Sequence, residues 1–397
     1  MVLTLLSNGH GEDVIGARLL ESLRSRLPGY AFQAFPTVDR GEAYEPLGVP
    51  ILGPRQVMPS GGFLLHHPRL FADDLRAGFL AMTWRQGTAL RALETDVLVT
   101  VGDIYALFLS RLVRARRRFA VQPLISAHHA AGRSSLSSLA RPARHFMERF
   151  SAAEKRLLRA VEQVYVRDAP TARLLQEAGL GNVSALGNPM LDALSGAAPL
   201  LGLDLGPPVV ALLPGSRGHA PRALALMLQA LEHWPQATGL VAWAGGTLPV
   251  NWPPGWTFRA VPVQEGPVRE EGEVGRLERG EGRVYLLRGR FADVLASSDL
   301  VLGTAGTANE QAASLGLPVL AFAVPPLYTA SYLRNQRRLL GRALSLAAPE
   351  PAAIATVLRS LWEDQERYEQ AAADGRERMG RPGGAQAIAA DLVKRLG

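Results

Sequence analysis

Two turns in the second half of the chain carry residue types suited to an anion. In the run 301–322, VLGTAGTANEQAASLGLPVLAF, an apolar strand (Leu300 to Leu302) breaks into small residues at Gly303 to Gly306 and resumes as a helix from Thr307 to Ser314. A helix start with no bulky side chain leaves backbone N–H groups open, and a phosphate is their natural guest. Glu310, on the first turn, can take two ribose hydroxyls while the phosphate stays at the amides. Thr307-x-x-Glu310 is equally the pattern of a capping box, which needs no ligand. The other turn, Pro214-Gly215-Ser216-Arg217, follows the strand Val209 to Leu213. Arg217 can grip a diphosphate through charge-assisted bonds worth roughly 1.5 to 3 kcal/mol, or hold its own loop by a salt bridge.

Two turns in the first half are acidic. Ser7-Asn8-Gly9-His10-Gly11-Glu12-Asp13 follows the strand Val2 to Leu6, and helical spacing begins at Val14. The glycines miss the dinucleotide fingerprint, and Glu12 and Asp13 would face a pyrophosphate with like charge, so a nicotinamide site is rejected. His10, Glu12 and Asp13 suit a hydroxyl-rich acceptor; the competing reading is that Asp13 or Glu12 caps the helix. Gly102-Asp103 closes the strand Val97 to Val101. Strand carboxyl ends face the ligand crevice in open α/β sheets, so Asp103 stands where a general base would, or else caps the helix Ile104 to Leu112. His128-His129 follows the strand Phe119 to Ile125 with no metal-ligand spacing nearby and reads as loop or acceptor site. No Asp-x-Asp occurs in the chain, so neither a metal nor another cofactor is expected.

The elements that must position these turns follow a repeated strand–turn–helix order in both halves, an α/β pattern. With 397 residues the chain exceeds what one core usually supports, and two domains are expected. Ser195 to Pro208, rich in Gly and Pro, marks the linker between residues 1–194 and a domain starting at 209. Gln264 to Arg283, charged and Gly-rich, reads as an exposed hairpin or insertion without chemistry. Helices are expected at Tyr328 to Leu340, where Gln336 can reach the turn at 303–306, and through Pro351 to Gly397.

Charge and composition set further bounds. Cysteine is absent, which excludes disulfides and thiolate metal sites. The start lacks a basic n-region, and no apolar stretch approaches a spanning length, so the expected location is the cytoplasm. Residues 1–200 carry 23 Lys/Arg against 17 Asp/Glu, and the rest 20 against 19, so the basic surplus lies in the first half. Two basic amphipathic runs, Tyr105 to Arg118 and Leu136 to Leu158, suit an anionic membrane face or an ordinary solvated helix side. Nucleic acid is not among the expected partners; the arginine bias, with Lys155 and Lys394 the two lysines, fits genome composition or a warm habitat better than recognition.

NGHGED at 8–13, VGD at 101–103, GNPMLD at 187–192, LPGSR at 213–217 and GTAGTANEQ at 303–311, in this order over most of the chain, resemble the lipid-A-disaccharide synthase family, more closely its "synthase-related" branch. The resemblance implies a GT-B glycosyltransferase: two Rossmann-like domains with parallel sheets facing across a cleft, the nucleotide-sugar domain at 209–375, and a last helix, 376–397, crossing back to the first domain. It places the donor at Gly215, Ser216 and Arg217 and at Thr304, Ala305, Gly306, Thr307, Ala308, Asn309, Glu310 and Gln311, with Glu310 on the ribose. The acceptor side falls to Asn8, Gly9, Gly11 and Asn188. Asp103 matches the proposed base, with His10 and Glu12 as alternatives. The synthases read more like GEASGD where this chain has NGHGED, and the segments around 55–85 and 126–150 do not match clearly. The implied activity is inverting, metal-independent transfer from a UDP-linked sugar to a lipid-linked or glycolipid hydroxyl, at most peripherally on the inner membrane face. The rivals are a non-hydrolysing UDP-sugar 2-epimerase and a non-catalytic nucleotide-sugar binding protein.

Overall fold

A computed structural model describes residues 1–38, 40–56, 76, 78–130, 150–200, 202–245, 247–249, 251–260 and 272–397. The chain forms two compact units, Met1–Asp192 with Gly380–Gly397, and Ala193–Met379.

Six strands make the first sheet: β1 (Val2–Ser7), β2 (Ala31–Pro36), β3 (Glu94–Val101), β4 (Arg114–Gln122), β5 (Gln163–Val166) and β6 (Val183–Ser184). They lie in the order β2-β1-β3-β4-β5-β6, all parallel. A parallel sheet is covered on both faces, and its strands therefore read as apolar runs rather than alternations. Leu3, Leu5, Leu6, Val97, Leu98 and Val99 are accordingly all buried. The helix His10–Arg24 lays Ile15, Leu19, Leu20 and Leu23 on this sheet, and the last helix, Gly384–Leu396, adds Ile388, Ala389 and Leu392 to the same core. Asp192 fixes the start of that last helix by accepting from the amides of Gly383, Gly384 and Ala385 at 2.5, 3.1 and 2.6 Å.

The second unit holds eight strands: β7 (Val209–Leu213), β8 (Thr238–Ala242), β9 (Thr257–Ala260), β10 (Glu273–Arg279), β11 (Gly282–Leu287), β12 (Leu300–Gly303), β13 (Val319–Phe322) and β14 (Leu344–Ala347). Their order is β14-β13-β12-β7-β8-β11-β10-β9, parallel except that β10 runs against β9 and β11. The helix Ala220–Leu231 covers this sheet with Leu224, Met227 and Leu228.

Each sheet has a reversal point, where the chain leaves two adjacent parallel strands in opposite directions, between β1 and β3 in the first and between β7 and β12 in the second. Adjacent strand ends there leave a crevice at their carboxyl ends, the usual ligand position of open α/β sheets. Register makes the pairing specific. Ser7 lies opposite Val101, and Leu213 opposite Gly303, so the turns that follow are brought side by side.

Three sequence expectations change. The first helix starts at His10, not Val14, which puts Glu12 and Asp13 on its first turn, where the helix dipole favours acids. The basic run Tyr105 to Arg118 is not one amphipathic helix: the helix Ile104–Ser110 ends early, and Arg114, Arg116, Arg117 and Arg118 lie on β4. Their charges meet local acids and carbonyls, Arg114 with Glu94, Arg116 with Asp96, Arg117 with Glu162, and Arg118 with the Ser110 and Val113 carbonyls. The part of Gln264 to Arg283 that is described belongs to the sheet, with Leu277 wholly buried on β10. Residues 264–271, the basic stretch 136–149, and 57–75 of the Pro/Gly-rich loop and the following amphipathic segment lie outside the described residues. Among the described residues no helix is long and apolar enough to cross a membrane.

Candidate functional site

In the second unit the turn after β12 is held from beneath. The Thr304 amide continues the ladder to the Leu213 carbonyl at 3.0 Å, and its hydroxyl donates to the Pro214 carbonyl at 3.1 Å. Asn309, wholly buried, donates through Nδ2 to the carbonyl of Gly303 and to Gln336 Oε1, each at 3.3 Å. Gln336 Nε2 in turn donates to the carbonyls of Ala305 and Gly306 at 3.3 and 2.9 Å. With these carbonyls tied inward, the amides that open the helix Thr307–Ser314 are left on the other side of the turn. The helix is capped by Gly306 with no side-chain bond, and Thr307 occupies its first turn, so the Thr307–Glu310 capping box does not form. Glu310 is half-buried and Gln311 buried on that helix.

The second wall of this crevice is the turn after β7. Gly215, Ser216 and Arg217 lead into His219, whose Nε2 lies 3.1 Å from the Thr304 carbonyl. A carbonyl only accepts, so the ring carries its hydrogen on Nε2. Burial, with Arg217 nearby, lowers the His219 pKa and keeps the ring neutral. Tyr328 packs on His219 with ring centroids 4.7 Å apart, and Tyr332 meets Tyr328 edge-on at 5.1 Å. Arg217 acts on both phenols, and Glu310 on Tyr332, which places the two charged side chains around one crevice.

The first unit's crevice is acidic. Asp103 caps the helix Ile104–Ser110: its Oδ1 accepts from the Tyr105 and Ala106 amides at 2.8 and 3.4 Å, and from Asn8 Nδ2 at 2.6 Å. The capping reading holds, and the same donors fix the direction of the carboxylate. Glu12 is 8% exposed and folds back onto Gly9, where an added β-carbon would collide with its Oε2. Burial, with the charges of Asp103 and Asp13 in the same direction, pushes Glu12 up to about 8 against a bond from its own amide. Burial likewise raises the Asp103 pKa, opposed by the bonds it accepts. Glu154, in the capping box of the helix Ala152–Arg159, is also pushed up to about 8, mainly by burial, with Asp103 contributing.

The remaining expected residues are placed as follows. His10 and Gly11 are exposed at the helix start. Asp13 is turned inward onto Ser7 Oγ at 2.6 Å, and Ser7 Oγ meets the Tyr44 hydroxyl at 2.9 Å. Asn188 is wholly buried, its Oδ1 accepting from the Met190 amide at 3.2 Å beside Gly384. His129 is buried, its Nδ1 accepts from the Ser126 amide at 3.3 Å, and burial together with Arg167 lowers its pKa to about 4. Among the described residues no group of three or more His, Asp or Glu side chains is placed to hold a metal ion. Sequence reasoning missed Glu154, His219, Tyr328 and Tyr332. Ser151-x-x-Glu154 was readable as a capping box, whereas no local pattern links Tyr328 to a glycine on the preceding βα turn.

The two sheets, their reversal points and their order along the chain define the α/β architecture of GT-B proteins. No family model matches the chain, and no curated protein matches it. Solved structures do. The calicheamicin glycosyltransferase CalG4 is similar over 100% of this chain and 98% of its own, with TM-score 0.60 at 16% identity. The UDP-GlcNAc 2-epimerase of Neisseria meningitidis bound to UDP-GlcNAc is similar over 100% and 99%, with TM-score 0.52 at 13% identity. MurG of Acinetobacter baumannii is similar over 99% of each chain, with TM-score 0.52 at 11% identity. At these identities the likeness is one of fold.

Proposed function

We propose that the chain is an inverting, metal-independent glycosyltransferase, on the plan of the lipid-A-disaccharide synthase family. It moves a sugar from a UDP-linked donor to a hydroxyl of a lipid-linked or glycolipid acceptor in cell-envelope synthesis. The observation that carries this reading is the opposite character of the two reversal-point turns, Arg217 with open helix amides in one and the carboxyl group of Asp103 in the other. The cationic turn suits a diphosphate that gains charge as it leaves, and Arg217 with the helix dipole stabilises it. Glu310 takes the ribose. Asp103, aimed by Asn8, accepts the proton of the attacking hydroxyl; Glu12, buried and proton-bearing at neutral pH, limits the negative charge beside it. The glycosyltransferase among the fold neighbours and the UDP-GlcNAc held by another support the donor class.

Support for a lipid acceptor comes from the first unit's surface. Leu80 and Trp84 on the helix Phe79–Ala92 and Phe108 on the adjoining helix are 68%, 73% and 62% exposed. Their helices touch through Thr83 and Tyr105, 3.3 Å apart at their hydroxyls, and Arg85 and Arg111 are exposed on the same two segments. An exposed apolar patch with arginines beside it suits an anionic membrane face.

A thermal-shift panel of nucleotides tests the donor half. UDP should raise the melting temperature of the wild type, and Arg217→Ala and Glu310→Ala should each abolish the shift. An undiminished shift in both variants would remove the proposal. A 2-epimerase is the second reading, favoured by two coupled carboxyl groups able to move protons without an acceptor. It would convert UDP-GlcNAc to its C2 epimer with no acceptor present, which the transferase would not.

A further inference from the structure

The loop that presents Arg217 is tied at both ends. Where it begins, the Leu213 carbonyl takes the Thr304 amide at 3.0 Å and the Pro214 carbonyl takes the Thr304 hydroxyl at 3.1 Å. Where it ends, His219 holds it twice. Its main-chain carbonyl accepts from the Ala223 amide at 2.9 Å as the helix Ala220–Leu231 begins, and its ring reaches back to the Thr304 carbonyl, 3.1 Å from Nε2. Gly215 makes room for that return. Its φ is 92°, and a β-carbon there would stand 3.0 Å from His219 Nε2 and 3.3 Å from the Thr304 oxygen. Ser216, Arg217 and Gly218 are what remains between the ties, and the Arg217 carbonyl is itself held by the Ala220 amide at 2.8 Å.

The same ring has a second nitrogen. Nδ1 is buried and has no hydrogen-bond partner among the described residues. A lone pair can stay there, whereas a hydrogen would be a buried donor with nothing to give to, on a ring that had become a cation. The groups facing the ring do not welcome that cation. Tyr328, whose phenol burial keeps neutral, packs on it from the segment after β13, and Arg217 on its own turn brings like charge. Burial first, then Arg217, lower the His219 pKa against the bond to Thr304. The tie is therefore complete above the ordinary histidine value of 6.5 and weakens as pH falls below it.

We infer that His219 is a positioning residue for the donor's diphosphate: its Nε2–H closes the Arg217 loop onto the Thr304 turn, and a proton taken at Nδ1 releases it. This role rests on the donor reading given above and adds to it a side chain that orders the clamp without touching the anion. Donor affinity then carries a histidine's pH dependence, which a clamp of arginine and amides alone would lack.

Titration calorimetry with UDP and with inorganic pyrophosphate, at pH 7.5 and pH 5, tests the role. His219→Gln can still give an amide hydrogen to Thr304 but cannot take a proton; His219→Phe keeps a ring against Tyr328 and gives none. At pH 7.5 UDP should bind His219→Gln within about threefold of wild type and His219→Phe at least about tenfold more weakly. UDP gains a proton of its own on acidification, so the pH reading is a difference: from pH 7.5 to 5 the wild type should lose at least about threefold more affinity than His219→Gln. Should His219→Phe fail to fold, that difference decides alone. Full affinity in His219→Phe, equal losses in both variants at pH 7.5, or equal pH slopes in wild type and His219→Gln would overturn the inference and leave the donor reading intact. So would wild-type affinity that rises on acidification relative to His219→Gln, the ring then being a direct ligand. The same pattern for pyrophosphate in a wild type that does not bind UDP would keep the inference and sink the nucleotide reading. Binding of neither would sink both.

Discussion

At the reversal point of each sheet a glycine gives up the place of its β-carbon to an asparagine: Asn8 Oδ1 fills it at Gly102 in the first unit, and Asn309 Oδ1 fills it at Gly303 in the second. Any side chain at either glycine would displace that amide, and Gly102, at φ 146°, is strained for other residues besides. From this common footing the two diverge. Asn8 hands its N–H to a carboxylate, Asp103, and so orients an acid. Asn309 hands its N–H to the main chain and to Gln336, and so orients amides. One scaffold serves opposite charges because the asparagine's partner differs, not because the strands do.

Substitutions can break this comparison, and the largest effect belongs to Asp103. Asp103→Asn retains a capping oxygen but no basicity, so turnover should fall about 100- to 1000-fold with UDP affinity within twofold. Turnover within tenfold of wild type would move the base elsewhere in the first unit. Next comes Arg217→Ala, for which titration calorimetry should show UDP binding about 10- to 100-fold weaker. A loss confined to turnover would place Arg217 outside the ground-state site.

A smaller effect is thermodynamic. Folding holds on Glu12 a proton that the unfolded chain, with an ordinary value of 4.5, releases, so this contribution to stability is complete below the unfolded value and fades as pH rises toward about 8. Glu154 adds a second contribution of the same sign. Glu12→Gln should make the decline of denaturant stability between pH 5 and 8 shallower, by up to about 1 kcal/mol per pH unit. An unchanged slope would show that Glu12 is ionised in the folded chain. The smallest effect is expected from chelation: EDTA should leave turnover unchanged, and a loss restored by a divalent cation would contradict the metal-independent reading.

Much of this was legible in the sequence, because buried parallel strands leave apolar runs and their carboxyl ends leave small residues. Val209 to Leu213 and the 303–306 turn were readable for that reason. The start of the first helix was not, since Gly9 and Gly11 look like loop although the helix begins at His10. The first half of the Arg114–Gln122 strand was hidden by four arginines, three of which pair with acids distant in sequence, as Arg117 does with Glu162. Tyr328 was invisible for a different reason: it packs on His219, far earlier in the chain, and only the folded turns bring the two rings together.

Asp192 and the amides of residues 383–385 share hydrogen bonds, so the point where the chain leaves the first unit touches the point where it returns. That unit is consequently not a contiguous gene fragment. Expressed as residues 1–192 it would bare the surface that Ile388 and Leu392 cover, whereas splicing Gly380–Gly397 directly behind Asp192 would yield an excisable folding unit, and deleting the tail from the whole protein would cost far more than eighteen residues suggest.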